Sequence, residues 1–412
     1  MARQGSVVGD SILSTAGVLA QGLSRFAYTA VVGRTLGADV LSTVNVAFAV
    51  SILLSLVWPT AAGNAAAAFL RAGPEGSLVG RALARSVGIS FVPLGLAAAV
   101  LAFVLSGTVG DAVVLVALTL AWSGYIFGRG ARMGLGQVRA AAGWDLLTAI
   151  GAIALLLAVI FFGVDEAVLV PAILGYTVFA AAAFLAARRA RKSQPVIAPK
   201  TPPLVPFLAW SSVALIATNG LMQMSMVVAF AFEPREVAGQ FAAALSLATP
   251  VSMVAQAVTQ ALIPRFAEWG HLSNAQRNSH LRRTLAAVSA VMFVGCGSVA
   301  LLMPWVLPLI FGPGFVAAVP MAQWLMLAVF GFSISVFLAA FLAATSRARL
   351  AMLLTGSASV VGLACMFTVG VVVSGTAGAI SGTVVGMTLA AVALAYPAAF
   401  GRESSRSGGD PR

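Results

Sequence analysis

The stretch LAQGLSRFAYTAVVGRTLGADVLSTVNVAFAVSILLSLVWP, residues 19–59, holds two apolar runs separated by the short polar turn Arg34-Thr35-Leu36-Gly37-Ala38-Asp39. Each run, extended to 10–32 and 41–63, reaches the roughly 20 apolar residues that a helix needs to cross a bilayer. A membrane-crossing hairpin is the unit this predicts. Arg25 stands alone as a charge well inside the first run.

The same alternation continues along the chain. Ten further runs meet the length criterion, at 83–106, 111–130, 142–163, 166–188, 207–231, 236–263, 284–311, 317–344, 350–373 and 376–399. Only 9% of the 412 residues are charged and 60% are hydrophobic, whereas soluble domains carry roughly 25% charged residues. The reading is an all-α polytopic membrane protein of about 12 helices. Residues 11–32 are expected to be a retained first helix rather than a cleaved leader.

The net charge of +12 would suggest nucleic acid in a soluble chain. Here the charges lie in short gaps between apolar runs, so topology explains them and no nucleic-acid partner is expected. With the N-terminus inside, Arg25, Arg34 and Arg235 are the only exceptions among 24 basic residues to an inner placement. Asp39, Asp111, Asp165, Glu166, Glu233 and Glu236 fall in outer loops. The positive-inside rule therefore predicts both termini in the cytoplasm and the protein in the inner (cytoplasmic) membrane.

The polar segment RRARKSQPVIAPKTPPLVP, residues 188–206, contains four prolines before Pro206 and reads as an extended linker. Its basic cluster is expected to anchor topology and to face membrane lipids. The predicted organisation is an N-terminal lobe over 1–188, a cytoplasmic linker over 189–206, a C-terminal lobe over 207–400 and a tail over 401–412. A faint repeat at an offset of 197 aligns Asp39-Val40 with Glu236-Val237, Ala47 with Ala244, and Ser55 with Ser252. Two parallel six-helix halves with substrate at their interface fit such a repeat.

Catalytic signals are scarce. Lys192 and Lys200 follow no glycine-rich loop, and Cys296 and Cys365 lie in apolar runs as small packed hydrophobes. His271 and His280 share one basic inner loop and read as a solvated face. No enzyme activity, cofactor or metal is expected. Prolines 59, 93, 171, 250, 304 and 308 fall inside spans, where they permit bends.

The intramembrane polar residues are the candidate site. Gln21, Arg25 and Tyr28 share one helical stripe. Asn45 and Asn64 lie on the second helix, Asn219 and Gln223 on the seventh, and Gln256 and Gln260 on the eighth. A lone Arg near a helix centre costs on the order of 2.5–3.5 kcal/mol on insertion scales, so it is expected to face a polar cavity. Asp10 and Asp145 read as helix-end residues, which leaves no carboxylate deep in the membrane. A cation without an acid favours an anionic substrate such as a pyrophosphate headgroup.

The opening quoted above, with its Arg34-x-Leu36-Gly37 turn, resembles the oligosaccharide (Wzx-type) flippases of the MOP (multidrug/oligosaccharidyl-lipid/polysaccharide) superfamily. EPREVAGQFAAALSLATP at 233–250, Pro264-Arg265-Phe266, and AAFLAATSRARLAM at 339–352 extend the resemblance. It implies two six-helix lobes around a central cavity lined by helices 1, 2, 7 and 8. It also implies alternating access and translocation of an undecaprenyl-pyrophosphate-linked oligosaccharide for surface polysaccharide, with a polymerase and glycosyltransferases as partners. A cation-coupled multidrug exporter of the same superfamily and a membrane polysaccharide polymerase or ligase are the alternatives.

Overall fold

The computed structural model describes residues 2–70, 76–191, 204–269, 272–345 and 347–400; of the first twenty residues and those at 76–77, 189–191, 264, 267, 274 and 399–400 the backbone alone is described. The described residues form helices and turns with no strand. In chain order the helices are α1 (Ala2–Leu56), α2 (Pro59–Phe69), α3 (Gly76–Ser106), α4 (Val109–Gly134), α5 (Val138–Phe161), α6 (Val170–Arg191), α7 (Leu204–Leu215), α8 (Leu221–Phe232), α9 (Arg235–Trp269), α10 (Asn274–Phe311), α11 (Ala318–Ala344), α12 (Ala348–Val372) and α13 (Gly375–Phe400).

α1 is one element by hydrogen bonding but two by geometry. Gly37 adopts φ 85°, ψ −176° inside it, a conformation that only glycine takes without strain. Along a continuous helix Phe48 would lie about 34 Å from Arg25. Instead the Arg25 guanidinium carbon is 5.3 Å from the centre of the Phe48 ring, so the chain reverses at Gly37. Among the described residues eleven helices are long and apolar enough to cross a membrane. The first, Gln21–Leu56, holds this reversal and supplies two passes, so the total is twelve.

Two passes are interrupted. The second breaks after α1 because Pro59 cannot donate a backbone hydrogen bond, and it resumes as α2. The seventh consists of α7 and α8 joined by a π-helical turn, Ile216–Gly220. The predicted linker and tail lie largely outside the described residues, at 192–203 and 401–412, as does His271.

Passes 1–6 pack on one another around α4, and passes 7–12 pack around α11 and α13. The two sets meet where α1 lies along α9 and α8, and where α2 touches α7. Toward the Gly37 end they share one core, with Val32, Leu41 and Phe48 from the first lobe against Phe241, Ala242 and Phe311 from the second. Toward the opposite end the core divides. One part surrounds Ala62, Ala65, Val79 and Leu83, and the other surrounds Phe266, Phe337, Phe341 and Leu394. The lobes are joined at the Gly37 end and parted at the other, apart from the α2–α7 seam, where the Phe69 and Phe207 rings meet at 5.2 Å.

At the joined end the approach is backbone on backbone. A Cβ placed on Gly239 of α9 would stand 2.0 Å from the carbonyl oxygen of Ala38. Nearer mid-membrane, Gly22 of α1 is covered by the Met253 thioether of α9.

Candidate functional site

Arg25 sits between two clefts. One lies within the first lobe. Gln21, Ser24, Arg25 and Tyr28 from α1 face Tyr125 of α4, Asp145 and Thr148 of α5, and Tyr176 of α6 across about 450 Å³ of empty space. The other lies between the lobes. There Gly22, Arg25, Thr29 and Asn45 from α1 face Leu245, Ser246 and Thr249 of α9 across about 230 Å³. The reversal at Gly37 makes this possible, because it brings Arg25 and Asn45 alongside each other.

Phe48 carries the polar stripe of α1. Arg25 lies over its face, and the Tyr28 ring meets it edge-on at 6.0 Å. Tyr28 donates its hydroxyl to the backbone carbonyl of Val168, which fixes the ring against the start of α6. Among the described residues Arg25 makes no hydrogen bond or ion pair; its guanidinium lies over the Phe48 ring and within electrostatic reach of Tyr176. The guanidinium therefore keeps its five donors available to a bound group.

The far end of the first-lobe cleft is charged but paired. Asp145 is 5% exposed. It accepts the Tyr125 hydroxyl at 2.7 Å and the Arg129 Nε at 3.0 Å. Behind it Arg132 is 4% exposed. Its guanidinium carbon lies 5.7 Å from the centres of both the Trp144 and Phe179 rings, and its Nε is buried with no hydrogen-bond partner. Cation–π contact offsets part of the cost of such burial. Trp122, Tyr125, Tyr176 and Phe179 close the cage from the α4–α6 side.

Two sequence expectations are corrected here. Arg129 and Arg132, read from the sequence as residues of an inner gap, lie in the last two turns of α4, which runs to Gly134. The membrane interior is not free of acid, because Asp145 lies about 10 Å into α5 and is buried. The i, i+4, i+7 spacing of Tyr125, Arg129 and Arg132 on one face of α4 was the available signal. Among the described residues of this region, Arg25, Arg129 and Arg132 stand near the Asp145 carboxylate, and of these Arg25 and Asp145 line the first-lobe cleft.

The predicted site residues do not gather in one place. Gln21, Arg25 and Tyr28 line the first-lobe cleft, and of the three only Arg25 also reaches the inter-lobe cleft beside pass 8. Asn45 lines the inter-lobe cleft, where its Oδ1 accepts the Ser246 hydroxyl at 3.3 Å and its Nδ2 donates to Leu41 at 3.1 Å. Asn64 is exposed on α2. Asn219 lies in the π-helical turn and donates to the Thr218 hydroxyl at 2.9 Å. Gln223 keeps a buried Oε1 without a partner. On α9 Gln256 is half-buried and Gln260 is exposed. None of these last five lines either cleft.

Solved structures of MATE transporters and of a lipid II flippase share this fold. The lipid II flippase MurJ in an inward closed conformation overlays with a TM-score of 0.71 at 11% identity, covering 93% of this chain and 87% of that one. An inward-facing multidrug resistance MATE family transporter of the MOP superfamily gives 0.66 at 16% identity, covering 93% and 96%. An outward-facing structure of such a transporter gives 0.59 at 19% identity, covering 95% and 94%. No family model matches the chain, and no curated protein sequence matches it. The shared property is the fold: a polytopic helical membrane protein of MATE and MurJ type.

Proposed function

We propose that this protein is an alternating-access flippase of the inner (cytoplasmic) membrane, with both termini in the cytoplasm. Its cargo is an undecaprenyl-pyrophosphate-linked oligosaccharide destined for surface polysaccharide. The observation that carries the reading is Arg25, a membrane-embedded guanidinium with free donors, set at the boundary of an inter-lobe cleft and a first-lobe cleft. A diphosphate matches such a group through bidentate, charge-assisted hydrogen bonds. The lipid tail would remain in the bilayer while the headgroup follows the clefts. Lobes joined at the Gly37 end and parted at the other support loading from the side of the termini. Glycosyltransferases would supply the cargo and a polymerase would consume it. No catalytic role is assigned to the chain.

Asp145 gives the cation-coupled exporter reading a buried carboxylate. That carboxylate is already held by Tyr125 and Arg129, so it is less suited to carrying a cation than an unpaired acid.

A deletion strain tests the proposal. Loss of surface polysaccharide, restored by the parent gene and not by Arg25→Ala at equal membrane abundance, is the expected result. Unchanged polysaccharide in the deletion strain would remove it.

A further inference from the structure

The Gly37 end carries two arginines that reach across the lobe boundary in a matched way. Arg34 belongs to the turn between passes 1 and 2. Its Nη1 donates to the carbonyls of Leu309 at 2.5 Å and Ile310 at 3.3 Å, in the last turn of α10, the third pass of the second lobe. Arg235 belongs to the turn between passes 7 and 8. Its Nη2 donates to the carbonyl of Leu105 at 3.2 Å, in the last turn of α3, the third pass of the first lobe. Each lobe thus extends an arginine from its first hairpin turn to the end of the other lobe's third pass.

The acceptors are suited to this use. The last carbonyls of a helix have no intrahelical donor and carry the negative end of its dipole. At α10 the Gly312 N–H takes the Pro308 carbonyl, and the residue that would serve Leu309 is Pro313, which has no N–H. At α3 the Gly107 N–H takes the Phe103 carbonyl, which leaves Leu105 to Arg235. Arg235 is also braced over the Phe230 ring, 3.6 Å from its centre. Both arginine residues are exposed, so water can replace the carbonyls when the lobes part, and neither charge is stranded.

We propose that Arg34 and Arg235 are reciprocal latches that hold the Gly37 end shut, and that opening of this end requires both to release. The pair sets the balance between the two openings without touching the clefts around Arg25. It therefore acts whatever the cargo is.

Spin labels at Thr35→Cys and Val316→Cys, on opposite lobes and both exposed, report the separation of this end by double electron–electron resonance. The background protein carries Cys296→Ala and Cys365→Ala. Arg34→Gln and Arg235→Gln are each expected to raise the population at long separation about fivefold, as loss of a solvent-exposed arginine contact predicts. The double variant is expected to raise it by about the product, roughly 25-fold. Arg34→Lys with Arg235→Lys, which keeps charge and stem, is expected to shift it less and serves if the Gln pair fails to fold. A folded double variant of either kind with the parent's distance distribution would overturn the proposal. A shift in one single variant and none in the other would overturn the reciprocity.

Discussion

Gly239→Ala isolates the lobe seam. The added Cβ would stand 2.0 Å from the Ala38 oxygen and 2.5 Å from its carbonyl carbon, where real contacts stay above 3.0 Å. Both neighbours are backbone, so relief requires the α1 turn and α9 to separate by about 1 Å. Forcing a methyl into a packed contact costs roughly 1–3 kcal/mol. The gain from alanine over glycine in a helix, up to about 1 kcal/mol, is common to both conformations and cancels. The closed Gly37 end should therefore lose about 5- to 150-fold in relative population. Ser42, fully buried beside the turn, is the reporter. In a background without Cys296 and Cys365, the labelling rate of Ser42→Cys by an impermeant maleimide should rise by that factor. Gly295→Ala, where a Cβ meets nothing within 4 Å, should leave the rate unchanged. An unchanged rate in a folded Gly239→Ala protein, or an equal rise in Gly295→Ala, would refute the reasoning.

Other perturbations separate lobe integrity from lobe motion. Gly130→Ala drives a Cβ to 2.1 Å from the Gly63 oxygen inside the first lobe, so it should lower the melting temperature in detergent without favouring either opening. Asp145→Asn removes the buried carboxylate that accepts from both Arg129 and Tyr125, and breaking a buried charge pair costs on the order of 3–5 kcal/mol. The melting temperature should fall, and Asp145→Asn with Arg129→Met should recover part of the loss. Phe48→Leu removes the ring under Arg25 and the edge contact to Tyr28. About 1–2 kcal/mol of thermal stability should be lost, because the Phe48 ring is buried, and cargo transport should weaken without being abolished.

Most of the fold was legible in the sequence because hydropathy measures what a bilayer selects. All twelve passes fall where the apolar runs place them, and Gly37 lies in the turn that the first hairpin required. The ends were less legible. α10 starts at Asn274 rather than 284, and α4 runs to Gly134. Charged residues such as Arg282, Arg283 and Arg132 sustain a helix while lowering its apolar average. The π-helical turn at 216–220 left no compositional mark. At the site, the Gln21–Arg25–Tyr28 stripe was readable from helical spacing alone. Asp145 was not, because proximity to a helix start says nothing about whether another helix covers it. Its partners Tyr125 and Arg129 come from α4, and only the packing of α4 on α5 and α6 brings the three together. The assignment of passes 1, 2, 7 and 8 to one shared lining rested on residue type. The geometry instead divides Arg25 from Asn219 and Gln223 by turning its stripe toward α5 and α6.

The most direct test of the central claim is translocation by the purified protein. Proteoliposomes loaded on one leaflet with an undecaprenyl-pyrophosphate-linked oligosaccharide would be assayed for lectin capture at the other. The parent should expose the glycan, Arg25→Lys should retain part of that rate, and Arg25→Gln should fall to the level of protein-free vesicles. Equal rates for the parent and Arg25→Gln would contradict the account.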